Sequence, residues 1–174
     1  MGKLAPSSIV PKSEPLMTPA HAQLLRDLLR TQEVAALGTL HKGRPYVSMV
    51  PFALRPDSTD FIIHVSQLAA HTKDMLAHPQ VSLLVIAPPA SAVMAQELAR
   101  ITVLGTARQL ARDTSEYATA RAAYLARFPQ SEMMFGFADF ALFAIAPESI
   151  RFVGGFAQAT TISPATLARA LYEA

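Results

Sequence analysis

The chain of 174 residues contains no cysteine and no tryptophan. The absence of cysteine excludes disulfide bonds, thiolate ligands for a metal ion and a cysteine nucleophile. Charged residues make up only 16% of the chain and the net charge is +2, so no basic cluster indicates a nucleic-acid partner. No apolar run reaches the roughly 18 residues of a transmembrane helix. We therefore expect a cytoplasmic protein without a nucleic-acid or membrane partner.

Apolar residues, by contrast, make up 51% of the sequence, enough for a sizeable hydrophobic core. The length favours one domain. Proline, serine and lysine dominate the start of the chain, which predicts a flexible arm over residues 1–17 and a single domain over residues 18–174. The five histidines show no metal-ligand spacing, so we expect no metal site.

Short apolar runs separated by turn residues predict a sheet with a few helices. Thr18 and Pro19 are typical of a helix start, Gly43 supplies a hairpin turn, and Gly105 inside a strand indicates a bulge. Strands are expected at residues 34–40, 45–54, 61–65, 81–86, 99–110, 139–145 and 150–153. Helices are expected at about 18–31, after Ser66, from about 113 to 127, and after Ser163. Short connections make the sheet antiparallel, and a barrel is favoured over a β-sandwich.

The segment around Ser66 carries the clearest indication of chemistry. An apolar strand ends at Ser66, which would cap a following helix with its hydroxyl. The start of a helix favours an anion, phosphate above all. His71, Thr72 and Lys73 would add an imidazole, a hydroxyl and an ammonium group. The alternative is an ordinary capped surface helix.

Several segments together resemble the FMN-binding split-barrel proteins related to pyridoxamine 5′-phosphate oxidase, and within them the haem-utilisation branch. These segments are residues 36–40, 43–48, 51–52, 66–73, 78–82, 139–140 and 152–159. The resemblance implies a mainly β fold with peripheral helices, a six- to seven-stranded antiparallel split β-barrel. It also implies a homodimer with FMN at the subunit interface.

The resemblance assigns the cofactor to two stretches of the chain. The first would run beside the flavin ring and comprises Tyr46, Val47, Ser48, Met49 and Val50. The second would hold the phosphate end and comprises His64, Val65, Ser66, His71, Thr72 and Lys73. From the residues alone, a single histidine in an apolar strand, as at position 64, is more often a packing residue than a ligand. Family members often carry arginine and asparagine where this chain has Lys73 and Asp74.

Three functions follow as hypotheses. The first is a flavin-dependent oxidoreductase, in which FMN supplies the redox chemistry. The second is a haem-binding or haem-degrading protein on the same scaffold, for which Asp139 matches an acidic position of that branch. Members of that branch use a histidine near the C-terminus, and residues 163–174 contain none. The sequence therefore predicts weak or no specific haem binding and no haem breakdown with a reductant. The third is a non-enzymatic flavin-binding module. The sequence leaves the substrate, the electron donor and any catalytic residue open.

Overall fold

The computed structural model describes residues 17–56, 58–91, 93–156 and 158–173. The expected N-terminal arm lies outside the described residues except for Met17. The helices are α1 (Pro19–Thr31), α2 (Ala70–Ala77), α3 (Ser115–Arg127) and α4 (Pro164–Tyr172), with 3₁₀ turns at Ala95–Glu97 and Pro129–Gly136. The strands are β1 (Val34–His41), β2 (Arg44–Pro51), β3 (Ala53–Leu54), β4 (Phe61–Ser66), β5 (Gln80–Ile86), β6 (Arg100–Gln109), β7 (Phe140–Val153) and β8 (Ala159–Ile162).

The strands form one antiparallel sheet that returns to its own start. Its order is β2-β1-β5-β6-β7-β4-β3, and β8 pairs with β7. The two ends of this path, β2 and β3, are separated in the chain only by Phe52, so the sheet must curl toward closure. The expected mainly β, split-barrel fold is confirmed, with eight strands rather than six or seven.

Local signals fix most of the element ends. The Thr18 side chain accepts a hydrogen bond from His21 N–H at the start of α1, as Ser163 does from Thr166 N–H at the start of α4. Lys42 and Gly43 have φ values of 52° and 73°, which gives the tight turn between β1 and β2. The register of β6 against β7 shifts between Leu104 and Gly105, which confirms the expected bulge.

Two predicted strands are wrong in their extent. The second strand was expected to run from residue 45 to 54, but it is interrupted at Phe52, whose buried ring enters the core and whose N–H donates to Glu33 O. The predicted turn at residues 147–149 is absent, because β7 is one strand of 14 residues. Gly105 faces Pro147 and Leu104 faces Ser149, so Glu148 is the extra residue of the bulge that accommodates the proline.

Two hydrophobic cores lie on opposite sides of β4 and β7. The main core fills the barrel and includes Phe61, Ile63 and Phe143. The second core lies under α3 and includes Ile62 and Tyr124. Alternation along each strand therefore buries both faces at this point of the sheet. Across the described residues, no helix has both the length and the apolar character needed to span a membrane.

Candidate functional site

The turn between β4 and α2 differs from the predicted capped helix. Ser66 is not the N-cap, because α2 begins at Ala70 and its N-cap, Ala69, makes no side-chain hydrogen bond. Ser66 Oγ instead accepts from Leu68 N–H at 3.1 Å and donates to Asp139 Oδ2 at 2.9 Å. Ser66 therefore closes a turn of its own, four residues before the helix starts.

The hydroxyls expected to hold phosphate are already engaged within the protein. The Thr72 side chain is fully buried and donates to Ser66 O at 2.7 Å. The Ser66 hydroxyl donates to the Asp139 carboxylate. The backbone oxygen of Asp139 accepts a second hydrogen bond, from Gln67 N–H at 2.6 Å. Lys73 is exposed. A phosphate here would face a carboxylate within hydrogen-bond reach of Ser66, and like charges disfavour that pairing.

His71 is half-buried beside this turn. Its Nε2 atom is buried and has no hydrogen-bond partner among the described residues. Burial lowers the pKa of His71, and the nearby Asp74 charge acts in the opposite direction. A neutral imidazole with an unpaired nitrogen is thus the resting state at pH 7.

Asp74 faces away from the predicted phosphate position, toward β1. It is 6% exposed, and its carboxylate accepts from Thr39 Oγ1 and from His41 Nδ1, both at 2.9 Å. Burial would raise the pKa of Asp74, but hydrogen bonds from His41 and Thr39 and the charges of His41 and His71 bring it below its ordinary value. We call Thr39, His41 and Asp74 the Asp74 cluster. It keeps an ionised carboxylate inside the protein.

The ring-side residues predicted on β2 fall on two faces of the sheet. Tyr46 pairs with Thr39 and lies 5.5 Å from the His41 ring between centroids, so it faces the Asp74 cluster. Ser48 is on the same face, and its hydroxyl is buried without a partner among the described residues. Val50 on this face is buried in the main core. The side chains of Tyr46 and Ser48 can therefore line one ligand surface, while those of Val47 and Met49 lie on the opposite face of the strand.

The other face of β2 belongs to an exposed apolar surface. We define the outer face as the outward residues of β1, β2, β5 and β6 that are large, apolar and exposed, namely Val34, Leu40, Val47, Met49, Leu84, Ile86 and Leu104. Between them lies an open depression of about 480 Å³, where Gly38 and Ser82 leave room. Contiguous exposed apolar residues of this kind mark interaction surfaces.

His64 is a packing residue of the second core. It is 6% exposed and stacks on Phe135, with 3.9 Å between ring centroids and an interplanar angle of 7°. Its Nδ1 has no partner among the described residues. Burial, with the Arg112 charge, lowers the pKa of His64 to about 4. Val65, its neighbour, faces the main core.

The structure thus brings together only part of the predicted site. Ser66, His71 and Thr72 lie around one turn, while His64, Val65 and Val50 pack in the cores. Sequence reasoning missed the Asp74 cluster and the bond from Ser66 to Asp139, whose partners are 33 to 73 positions apart in the chain. No local spacing could have indicated these pairs. Among the described residues, no group of three histidine or acidic side chains could hold a metal ion.

Comparison with known proteins gives consistent results. A family model described as pyridoxamine 5′-phosphate oxidase matches residues 22–154. The chloroplastic heme oxygenase HOZ of Arabidopsis thaliana is 39% identical over 119 residues, which are 68% of this chain and 35% of that protein. Heme oxygenase HutZ of Vibrio cholerae is 29% identical over 143 residues, 80% of this chain and 79% of that protein. The match thus spans about a third of the first relative's length and most of the second's.

Solved structures of proteins with related names also superpose on this chain. The heme binding protein from Mycobacterium smegmatis superposes with a TM-score of 0.77 at 26% identity, covering 88% of this chain and 62% of that chain. The crystal structure of HutZ from Vibrio cholerae superposes with a TM-score of 0.65 at 25% identity over 71% of this chain.

Proposed function

Because the chain belongs to the pyridoxamine 5′-phosphate oxidase family, with a match over residues 22–154, we propose that it is a haem-binding member that presents haem for breakdown. The hydrogen bond between Ser66 and Asp139 carries the proposal, because it leaves a carboxylate where an FMN phosphate was expected. Two relatives named heme oxygenase and a structure named heme binding protein support it. Flavin binding becomes the second candidate.

The residues of this chain fit haem better than FMN phosphate. Haem is a flat apolar ring with two carboxylates and an iron that accepts a nitrogen ligand. The exposed Tyr46 ring, beside the Asp74 cluster, offers aromatic contact area. Lys42 and Arg44 are exposed cations next to it and suit carboxylates. Haem would be the substrate, and its oxidative cleavage would draw on dioxygen and an external reductant.

A second candidate remains flavin binding, which one observation favours. The buried hydroxyl of Ser48 lacks a partner among the described residues, on the strand expected to lie beside the flavin ring. A buried hydroxyl without a hydrogen bond is costly, so a ligand atom there would stabilise the protein.

Parallel titrations separate the two candidates. Haemin should give a Soret band that saturates at one haem per subunit, and FMN should bind no more tightly than riboflavin. Ascorbate in air should then bleach the Soret band and yield a bile-pigment product. A flavin spectrum with FMN bound far more tightly than riboflavin, and no Soret band, would establish the second candidate instead.

An Asp139→Asn variant tests the reason behind the choice. If the Asp139 charge is what excludes phosphate, the variant should bind FMN several-fold more tightly while its riboflavin affinity stays unchanged. Asp113→Asn removes an exposed carboxylate at the start of α3 and is the matched control. Equal FMN affinity in both variants would show that the Asp139 charge does not decide the ligand.

We further propose that two copies of the chain associate through the outer face. Its apolar side chains are exposed in the single chain, and a symmetric dimer would cover them. Met49→Lys should shift the protein toward the monomer in sedimentation at micromolar concentration. Met133→Lys, at a site that is 74% exposed and off the outer face, is the control. A Met49→Lys dimer of unchanged stability would contradict this interface.

A further inference from the structure

Imidazole is a common ligand of haem iron, and a histidine suited to it has an accessible, unoccupied nitrogen on a ring that is held in place. His64 is buried against Phe135. His21 Nε2 is 2.9 Å from the Gln158 side-chain oxygen. The unpaired Nε2 of His71 is enclosed by protein atoms. His78 is exposed at the end of α2, and no hydrogen bond orients its ring among the described residues.

His41 combines an anchored ring with an exposed edge and an Nε2 atom that no side chain of the described residues occupies. Its side chain is 38% exposed, and its Nδ1 lies 2.9 Å from Asp74 Oδ1. Thr39 occupies the other carboxylate oxygen and Oδ1 faces the His41 ring, so the tautomer that fits this contact has its hydrogen on Nδ1. Nε2 then has a free lone pair. Metal-binding histidines in proteins are oriented by a carboxylate in this way.

The carboxylate is itself held in place. Thr39 Oγ1 donates to the second oxygen of Asp74 at 2.9 Å, and Asp74 is fixed on α2 while Thr39 and His41 are fixed on β1. The His41 ring is therefore held by its own strand, β1, and by the carboxylate on α2. Such an arrangement costs little entropy when a ligand binds to the free nitrogen.

The hairpin around His41 matches the rest of the haem molecule. Tyr46 places an aromatic ring 5.5 Å from the His41 ring. Lys42 and Arg44 flank it, and their exposed side chains form no ion pair or hydrogen bond among the described residues. Resting on the proposed function, we propose that His41 Nε2 is the iron ligand, that Asp74 and Thr39 position it, and that Lys42 and Arg44 pair with the haem carboxylates.

Spectroscopy of bound haem tests this assignment. His41→Ala should bind haemin roughly tenfold or more weakly and lose the spectrum of an imidazole-ligated iron. Added imidazole should restore that spectrum by filling the vacated place. His78→Ala, which removes an exposed histidine from α2, should bind haemin like the native protein.

Asp74→Asn separates positioning from folding. It keeps a hydrogen-bond acceptor for His41 but removes the charge, so haem should still bind while the reduction potential of the iron rises and the iron–histidine stretch of the ferrous form weakens. A purely structural role for the pair would lower thermal stability and leave both readouts unchanged. That result would overturn the positioning role.

The two proposals fail in different ways. A native protein that gives no Soret band overturns the proposed function, and the assignment of His41 with it. Haem that binds to His41→Ala with the native spectrum and affinity overturns the assignment alone. Circular dichroism of each variant shows whether it is folded, and imidazole rescue then distinguishes a lost ligand from a damaged fold.

Discussion

Acidification should destabilise the protein through His64. Its ring lies in the second core against Phe135 and Tyr124, and its pKa is lowered to about 4 by burial, with the Arg112 charge adding to the effect. An unfolded chain would hold this histidine at its ordinary pKa of about 6.5. Between these values the unfolded state binds more protons. The stabilisation is therefore complete above pH 6.5 and is lost as the pH falls toward 4.

The size of the effect follows from the shift. Between pH 7.5 and 4.5 the native protein should lose at most about 2.5 kcal/mol of unfolding free energy through this histidine. Water entering the aromatic cluster would reduce that value to about 1 kcal/mol. The measurement is urea unfolding at half-unit pH intervals, followed by circular dichroism.

The His64→Phe variant isolates this contribution. Phenylalanine keeps a flat ring against Phe135 and has no nitrogen to protonate. As the pH falls, the native protein should lose unfolding free energy relative to the variant. The loss should be steepest between pH 6.5 and 4.5. Curves that stay parallel over that range would refute the reasoning, because His64 would then titrate alike in both states. His78→Ala, an exposed substitution, should leave the pH dependence unchanged.

Three further substitutions test the frame of the barrel. Gly105→Ala should destabilise by about 1–3 kcal/mol in urea unfolding, because its Cβ would come closer than 3.0 Å to the backbone oxygen of Ala146. Arg127→Ala should lower thermal stability by about 2 kcal/mol, since this half-buried guanidinium donates to carbonyl groups at the C-terminal end of α1. Glu116→Gln should lower the unfolding free energy by about 1 kcal/mol or less at neutral pH. Hydrogen bonding to Arg108 lowers the pKa of Glu116, so the native protein should lose this contribution in acid and the variant should have none to lose.

Two of these substitutions have a matched control variant, and the third has a control in the salt concentration. Gly136→Ala meets no atom within 4 Å and should be close to neutral. Arg30→Ala removes an exposed side chain from α1 and should cost little. High salt should weaken the effect of Glu116→Gln, since its side chain is 34% exposed. A Gly105→Ala protein as stable as the Gly136→Ala control would mean that the bulge can open without cost.

The sequence alone determined the elements that depend on neighbouring residues. Thr18 and Pro19 start α1, and Gly43 allows the positive φ of the first hairpin. These features rest on hydrogen bonds and backbone preferences that span at most four positions, so the local pattern contains them. The number of short strands joined by short turns then indicated a barrel.

Only the tertiary structure decided what the polar residues do. Ser66 has the residue type of a helix cap, but Asp139 on the approach to β7 takes its hydroxyl. Asp74, which follows Lys73 in the chain, turns to Thr39 and His41 on β1. A polar side chain bonds to whichever partner the fold places within about 3 Å, and sheet pairing brings together residues far apart in the chain. Local pattern determined where strands and helices form, and long-range pairing determined which charges and hydroxyls meet.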